Sequence, residues 1–154
     1  MRLTRASDYA IRVLVYLAEV PQPGRATRQA IIENTGVPAA FLNKLVQRLV
    51  RAKLIAARPG VGGGCALATR AAEISVLEVV QAMDGPLEIS ECLAEGSSCP
   101  RIKFCNFRRL LARMQREMAQ LLEATTLADM VGGLEGGCCC GASAEELEAA
   151  DKGR

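Results

Sequence analysis

Three cysteines, Cys92, Cys99 and Cys105, follow one another with six and then five residues between them. Thiolates are soft ligands that suit iron–sulfur clusters, zinc and copper(I). The intervening segments are rich in turn-forming residues, so the chain can wrap its sulfurs around a bound group. The spacing does not choose the metal: the closely spaced cysteine pairs of structural zinc sites are missing, and a site with four ligands lacks one. Three separately buried cysteines are the alternative.

The composition excludes several kinds of chemistry. The 154 residues contain no histidine, which excludes histidine acid–base catalysis, Ser-His and Cys-His nucleophiles and imidazole zinc sites. The glycine-rich run 60–64 does not open a helix, so it does not fit a dinucleotide-binding loop. We therefore expect a protein that is not an enzyme.

The cysteine count and the hydropathy indicate where the chain resides. Seven cysteines without a recognisable export signal predict a reducing compartment, the cytoplasm, where they serve as ligands or redox groups rather than disulfides. No run of about 18 uncharged apolar residues is present, so no membrane span is predicted.

Charge is divided unevenly along the chain. Residues 1–70 carry eleven Lys and Arg against three acids, a net charge of +8, whereas the remaining 84 residues carry a net charge of −6. A basic first half predicts contact with a polyanion such as nucleic acid. An incidental distribution of surface charge is the alternative.

Apolar periodicity predicts three helices in the basic half. The first follows Thr4 and ends before Pro21, a short one begins after the N-cap Thr27, and another covers 39–52. Gly36 supplies a left-handed residue between the last two. The outer face of the third helix is polar and basic. This pattern indicates a helix-turn-helix whose second helix reads DNA.

A short hairpin is predicted directly after the helix-turn-helix. Segments 54–57 and 65–68 alternate as strands around the tip 58–64, which contains four glycines. A wing whose backbone approaches a DNA groove closely would explain these glycines, and a loose surface hairpin is the alternative.

The second half is predicted to contain a cysteine segment and a long helix. A helix over 73–83, with Ser75 as a plausible cap, precedes the poorly periodic segment, and the near-heptad spacing in 106–124 predicts a dimerisation helix. The alternative is that this helix packs on its own domain. Thr126 and Asp129 predict a cap for a last short helix. We expect a mainly α fold with a small β-wing. Its parts are a winged helix-turn-helix domain (1–83), a cysteine loop (84–106), a dimerisation region with its closing helix (107–131) and a flexible tail (132–154).

Taken together, these motifs resemble the Rrf2 family of bacterial winged-helix regulators. The resemblance covers 1–131 and rests on the opening MRLT, on SDYA at 7–10, on the glycine wing, on the three cysteines and on TLAD at 126–129. It implies a homodimeric regulator, most simply a repressor, that binds palindromic promoter DNA. In its cysteine-bearing members it also implies one iron–sulfur cluster per subunit, with Cys92, Cys99 and Cys105 at the ligand positions.

The fourth ligand separates subgroups of the family. IscR-like members have a histidine three residues after the last cysteine, where this chain has Arg108, which disfavours a 2Fe–2S centre of that type. NsrR-like members have an aspartate in the first helix that reaches the cluster of the other subunit, and Asp8 matches it. The resemblance therefore favours a 4Fe–4S cluster held by three cysteines and Asp8 of the partner subunit, with a 2Fe–2S cluster as the alternative. A carboxylate binds iron more weakly than a thiolate, which suits a sensor of nitric oxide, redox state or iron supply. A helix-dipole role is the alternative for Asp8.

The same interpretation assigns candidate DNA contacts. On the recognition helix, Ala40, Asn43, Lys44 and Gln47 face base edges or phosphates. Arg58 and the tip glycines Gly62 and Gly63 are expected to lie along the DNA backbone or in its minor groove. Phosphate contacts are expected from Arg2, Arg5 and Arg28.

The sequence leaves two alternative functions open. One is a regulator of the same fold that holds no cluster and depends on thiols or zinc; the other is an enzyme or electron carrier. Cys65 is expected in the core, and no role is assigned to Cys138, Cys139 and Cys140.

Overall fold

The chain forms six α-helices and a two-stranded hairpin within the residues that the computed structural model describes, namely 4–21, 23–60, 62–94 and 96–131. The expected tail and Arg2 lie outside these residues. The elements are α1 Arg5–Glu19, α2 Arg28–Thr35, α3 Ala39–Arg51, β1 Ile55–Arg58, β2 Gly64–Leu67, α4 Val76–Asp84, α5 Asn106–Ala124 and α6 Leu127–Val131. Short 3₁₀ turns cover Ala71–Glu73 and Glu91–Leu93.

Local capping chemistry sets the helix boundaries in the first half. The hydroxyl of Thr4 accepts hydrogen bonds from the main-chain N–H groups of Ala6 and Ser7, and that of Thr27 accepts one from Ala30. Gly36 ends α2 in the left-handed conformation with φ of 67°, which lets the chain turn directly into α3. The predicted helix-turn-helix is confirmed.

Helix α1 lies at the centre of the core and contacts α2, α3, α4, α6 and β2. Its inner face is fully buried, and the apolar stripe of α3 packs around it. Each buried leucine contributes roughly 1.5–3 kcal/mol relative to an exposed one, so this aliphatic core fixes the orientation of α3. The largest buried side chains include Leu14, Leu17, Ile31, Leu42, Leu45, Leu49 and Leu127.

The hairpin forms the predicted wing. Strands β1 and β2 are antiparallel, with Ile55 opposite Leu67 and Arg58 opposite Gly64. The main chain of Ala26 adds a third, single-residue strand, because its N–H and carbonyl exchange hydrogen bonds of 2.8 and 2.9 Å with Cys65. Strand β2 of the wing is thereby attached to the segment that precedes α2.

The expected helix start at Glu73 is wrong. The main chain around Ser75 pairs instead with the segment around Thr126: Leu127 donates to the carbonyl of Ile74, and Val76 donates to the carbonyl of Thr125. Because this extended pairing uses those backbone groups, α4 begins at Val76. Ser75 caps it as expected, in a reciprocal box with Glu78.

The long helix α5 has the predicted bounds but contains no fully buried residue. Its second half packs through Met118 and Leu122 against a small cluster formed by Val80 and Leu87. Its first half exposes a row of large apolar side chains to solvent: Phe107 at 65%, Leu110 at 51% and Met114 at 50%. The second half of the helix therefore packs on its own domain, whereas the apolar row of the first half faces solvent in the described part of the chain.

Candidate metal centre and nucleic-acid interface

The outer face of α3 is presented to solvent as the sequence predicts. Ala40, Lys44 and Gln47 are exposed, whereas Leu42 and Leu45 on the opposite side are buried. A helix held this way by its apolar face can enter a DNA major groove with its polar side chains leading.

Arg28 and Asn43, both expected on DNA, contact each other. The Arg28 guanidinium donates to the side-chain oxygen of Asn43 and, at 2.7 Å, to the main-chain carbonyl of Ala39. These bonds tie the start of α2 to the first turns of α3. In the free chain, therefore, both side chains help to set the angle between the two helices of the DNA-reading unit.

The wing glycines have an internal reason for their conformation. Gly62 has φ of 74°, a left-handed conformation that disfavours other residues. A β-carbon on Gly63 would lie 2.3 Å from the carbonyl oxygen of Arg58, and one on Gly64 would lie 2.5 Å from that of Ala26. The tight turn and the attachment of the wing thus account for these glycines without any DNA contact. Arg58 itself is exposed at the end of β1.

The three cysteines of the central segment carry free thiols and remain accessible. Cys92 and Cys99 line one surface cleft together with Gly96 and Ser97, and Cys99 is exposed. Across the described ranges, no group of three His, Cys, Asp or Glu side chains is close enough to hold a metal ion. The sulfurs therefore belong to one segment without being gathered to bonding distance.

Cys105 caps the long helix. Its Sγ accepts the N–H of Arg108 at 3.4 Å, so the sulfur lies at the positive end of the 19-residue α5. The side chain of Arg108 turns back to donate a 3.0 Å hydrogen bond from Nε to the carbonyl of Cys92. The hydroxyl of Ser90 is 3.3 Å from the Sγ of Cys92. Cys92 and Cys105 are thus connected through a single residue.

Asp8 lies in the first turn of α1, on the surface. Its carboxylate forms an ion pair with Arg12 at 2.9 Å and a second hydrogen bond with the Nε of Arg12 at 3.1 Å. The Arg12 guanidinium also lies 5.9 Å from the ring centre of Tyr9. About half of the Asp8 side chain is exposed, so the carboxylate is accessible to another subunit.

A junction near Asp84 was not found from the sequence. The carboxylate accepts hydrogen bonds from the hydroxyls of Thr4, at 2.5 Å, and Ser7, at 2.6 Å. Burial raises the pKa of Asp84, but these bonds together with the positive charge of Arg48 outweigh it and hold the pKa below its ordinary value. Arg48 of α3 also donates to the carbonyl of Met83 at 2.9 Å. The end of α4, where the cysteine segment begins, therefore holds both α1 and α3.

Cys65 belongs to the core, as expected. It lies in strand β2 of the wing and is 8% exposed, packed into the hydrophobic core. Burial raises the pKa of its thiol, against the opposing effect of the Arg25 cation, so the thiol form is favoured. Cys138, Cys139 and Cys140 lie outside the described residues.

These features define a winged-helix protein that binds DNA, with a cysteine segment joined to the winged helix-turn-helix domain. A family model described as an iron-dependent transcriptional regulator, Rrf2, matches residues 3–133. The chain belongs to the Rrf2 family of transcriptional regulators, which are not enzymes, and both the resemblance and the prediction about catalysis are confirmed.

Individual relatives agree with this assignment. The HTH-type transcriptional repressor NsrR of Streptomyces coelicolor is 35% identical over 134 residues, which cover 85% of this chain and 88% of that protein. Protein aau3 of Rhizobium meliloti is 31% identical over 139 residues, 85% of each chain.

The fold itself recurs in a solved structure. CymR, the global cysteine regulator of B. subtilis, superposes with a TM-score of 0.71 at 22% identity, covering 86% of this chain and 97% of that one. The expected fold class is confirmed. In the part of the chain that is described, no helix is both long and apolar enough to cross a membrane.

Proposed function

We propose that this protein is a homodimeric repressor that binds palindromic promoter DNA and is controlled by an iron–sulfur cluster. Cys92, Cys99 and Cys105 would hold the cluster, of the 4Fe–4S type, with Asp8 of the partner subunit as the fourth ligand. The signal would be nitric oxide, redox state or iron supply. The division into a reading domain, a cysteine loop, a dimerisation region and a tail belongs to the same proposal.

One observation carries the proposal: three free, accessible thiols occupy a single segment between the winged helix-turn-helix domain and the half of α5 that carries the exposed apolar row. The donor set fits the proposed group, because thiolates are the ligands of iron–sulfur clusters and Cys92 already shares a cleft with Cys99. Cys105 lies at the N-terminus of α5, where its Sγ accepts the N–H of Arg108. A bound cluster would supply a site where iron reacts with a small oxidant or with nitric oxide.

The surface of α5 supports a second copy of the chain as its partner. Phe107, Leu110 and Met114 recur at the helical spacing of one apolar row, and exposed rows of this kind mark interfaces. Residues 106–116 carry four arginines and no acid, whereas 117–124 carry two glutamates and no base. An antiparallel pair of α5 helices would therefore place opposite charges beside each other.

DNA binding would follow from such a dimer. Two copies of α3 would enter successive major grooves of a palindromic site. Ala40, Lys44 and Gln47 would face the bases, with Asn43 recruited from its bond to Arg28. Phosphate contacts from Arg2, Arg5 and Arg28, with Arg58, Gly62 and Gly63 on the wing side, would supply the affinity that depends on salt.

The chain also contains a route from the cysteine segment to α3. Asp84, at the start of that segment, binds Thr4 and Ser7 at the beginning of the helix that carries Asp8, while Arg48 of α3 binds the neighbouring carbonyl of Met83. A change in the segment's conformation would thus reach the reading helix through two side-chain contacts.

The deciding experiment compares the wild-type chain with Cys99→Ala after anaerobic purification and reconstitution with iron and sulfide. We expect the wild type to contain both iron and sulfide and to absorb at about 400 nm, as iron–sulfur proteins do. Cys99→Ala should remain folded, since Cys99 is exposed, but lose the absorbance. Ser98→Ala, at the exposed position next to Cys99, is the matched control and should keep the absorbance. A wild type without iron and sulfide would refute the proposed sensor.

A regulator without a cluster, dependent on thiols or zinc, is the second candidate. Its thiol-dependent form is favoured by the finding that the three sulfurs are not gathered into a metal-binding group within the described segments. A colourless anaerobic preparation that holds one zinc per chain, or that loses DNA binding on thiol oxidation, would establish it.

A further inference from the structure

Arg108 lies between two of the three cysteines and contacts both. Its main-chain N–H reaches the Sγ of Cys105 at 3.4 Å, and its Nε donates to the carbonyl oxygen of Cys92 at 3.0 Å. The residue is partly buried, in contrast to its exposed neighbour Arg109. A single side chain thus connects the first and the last cysteine of the segment.

This contact adds a restraint on Cys92 to those of its own turn and of Ser90, whose hydroxyl is 3.3 Å from the Cys92 Sγ. Cys92 lies in the short turn Glu91–Leu93, which has no fully buried residue and no side-chain cap. Cys105, in contrast, is held as the N-cap of α5. The bond from Arg108 to the carbonyl of Cys92 limits rotation of that peptide and so limits where the sulfur of Cys92 can lie relative to that of Cys105.

We propose that Arg108 is a positioning residue of the cysteine site, which holds Cys92 near Cys105 without binding the metal itself. A guanidinium group offers hydrogen-bond donors and no lone pair, so Arg108 is not a ligand. The nature of the bound group rests on the proposed function, but the restraint on Cys92 concerns the chain alone.

The restraint can be measured in the protein before any cluster is added. Millisecond hydrogen–deuterium exchange over 90–94 would compare the wild type with Arg108→Ala, Arg108→Lys and the matched control Arg109→Ala. We expect exchange in Arg108→Ala to be about fivefold faster, which corresponds to the loss of one hydrogen bond worth about 1 kcal/mol. Arg108→Lys should recover part of the protection, because it keeps a cationic donor but not the geometry of Nε. Arg109→Ala should behave as wild type. Equal exchange in all four proteins would overturn the inference.

The consequence for the site is measured after reconstitution with iron and sulfide. Removal of a residue that orients a metal ligand weakens a site by about 10- to 100-fold. We therefore expect Arg108→Ala to lose its visible absorbance to a chelator about tenfold faster than Arg109→Ala, with the shape of the spectrum unchanged. A loss rate equal to the control, or a spectrum altered as by loss of a ligand, would contradict a positioning role.

The two measurements separate the inference from the function on which it depends. If no variant takes up iron and sulfide while exchange over 90–94 still rises in Arg108→Ala, the proposed sensor fails and the restraint on Cys92 stands. If the wild type is loaded and Arg108→Ala shows unchanged exchange, the sensor stands and the inference about Arg108 is wrong.

Discussion

The hydroxyl of Ser7, which is completely buried, donates a 2.6 Å hydrogen bond to the carboxylate of Asp84. The two residues are 77 positions apart in the chain. Their contact joins the first turn of α1 to the last residue of α4. At this contact the N-cap of α1, the end of α4 and the start of the cysteine segment meet.

Asp84→Asn should destabilise the fold by about 1 kcal/mol at neutral pH, because an amide accepts these hydrogen bonds less strongly and the site is partly open to solvent. The pKa of Asp84 is lowered in the folded chain, so its contribution is present above about pH 4 and is lost as the pH falls through the folded-state value. The difference from wild type should therefore shrink on acidification. Urea unfolding of the cluster-free protein from pH 7 to pH 3 measures this difference.

The control for that prediction is Glu123→Gln, which alters an exposed acid near the end of α5. It should leave the free energy of unfolding within about 0.5 kcal/mol of wild type at every pH, as surface changes usually do. A constant difference between wild type and Asp84→Asn across the pH range would show that the carboxylate is not the stabilising group.

Asp8→Asn should alter the visible spectrum of the reconstituted protein or accelerate loss of its cluster. The exchange of a carboxylate for an amide removes the proposed fourth ligand while the side-chain size is preserved. Absorbance and decay are followed anaerobically after addition of a chelator.

Arg12→Gln separates this role from the ion pair that Asp8 forms on its own helix. It breaks the same pair, worth about 0.3–0.5 kcal/mol, but leaves the carboxylate available. We expect a spectrum and decay close to wild type. Should the two variants behave alike, Asp8 is only a helix acid.

Met114→Glu should convert the dimer to monomers. The side chain lies in the exposed apolar row of α5, and an unpaired carboxylate buried there from each copy costs several kcal/mol. Dimer affinity should fall by roughly 100-fold or more. Sedimentation velocity over a concentration series measures the affinity.

Gln120→Glu adds the same charge to the same helix at an exposed polar position and should leave the dimer intact. A wild-type chain that sediments as a monomer at micromolar concentration would refute the proposed interface.

Lys44→Ala should weaken binding to all DNA sequences and reduce the slope of affinity against salt by about one counterion. The exposed ammonium group on α3 is the physical basis. Fluorescence anisotropy at several salt concentrations gives the slope. Arg70→Ala, which removes an exposed cation paired with Glu73, should leave the slope unchanged. A slope unaffected by Lys44→Ala would place α3 away from the phosphates.

The helices of the reading domain could be predicted because their signals are local. Thr4 and Thr27 cap the helices that follow them, Gly36 takes the left-handed conformation at a helix end, and the apolar stripe of α3 is buried at Leu42, Leu45 and Leu49. Each of these features depends on neighbours within a few positions, so the residue pattern carries the information. The cysteine spacing marked the candidate site for the same reason.

Only the tertiary structure decided which distant groups meet. The start of α4 was misplaced because Ser75 pairs with Thr126 about fifty residues away, and the roles of Asp84 and Arg108 depend on Ser7 and Cys92. A hydrogen bond across that separation leaves no periodicity in the sequence. By itself the amino-acid order determined the elements, the apolar faces and the chemical groups available. Packing of those faces determined which of the groups lie within bonding distance, because burial of apolar surface is not directional and the hydrogen bonds form only where it brings the partners together.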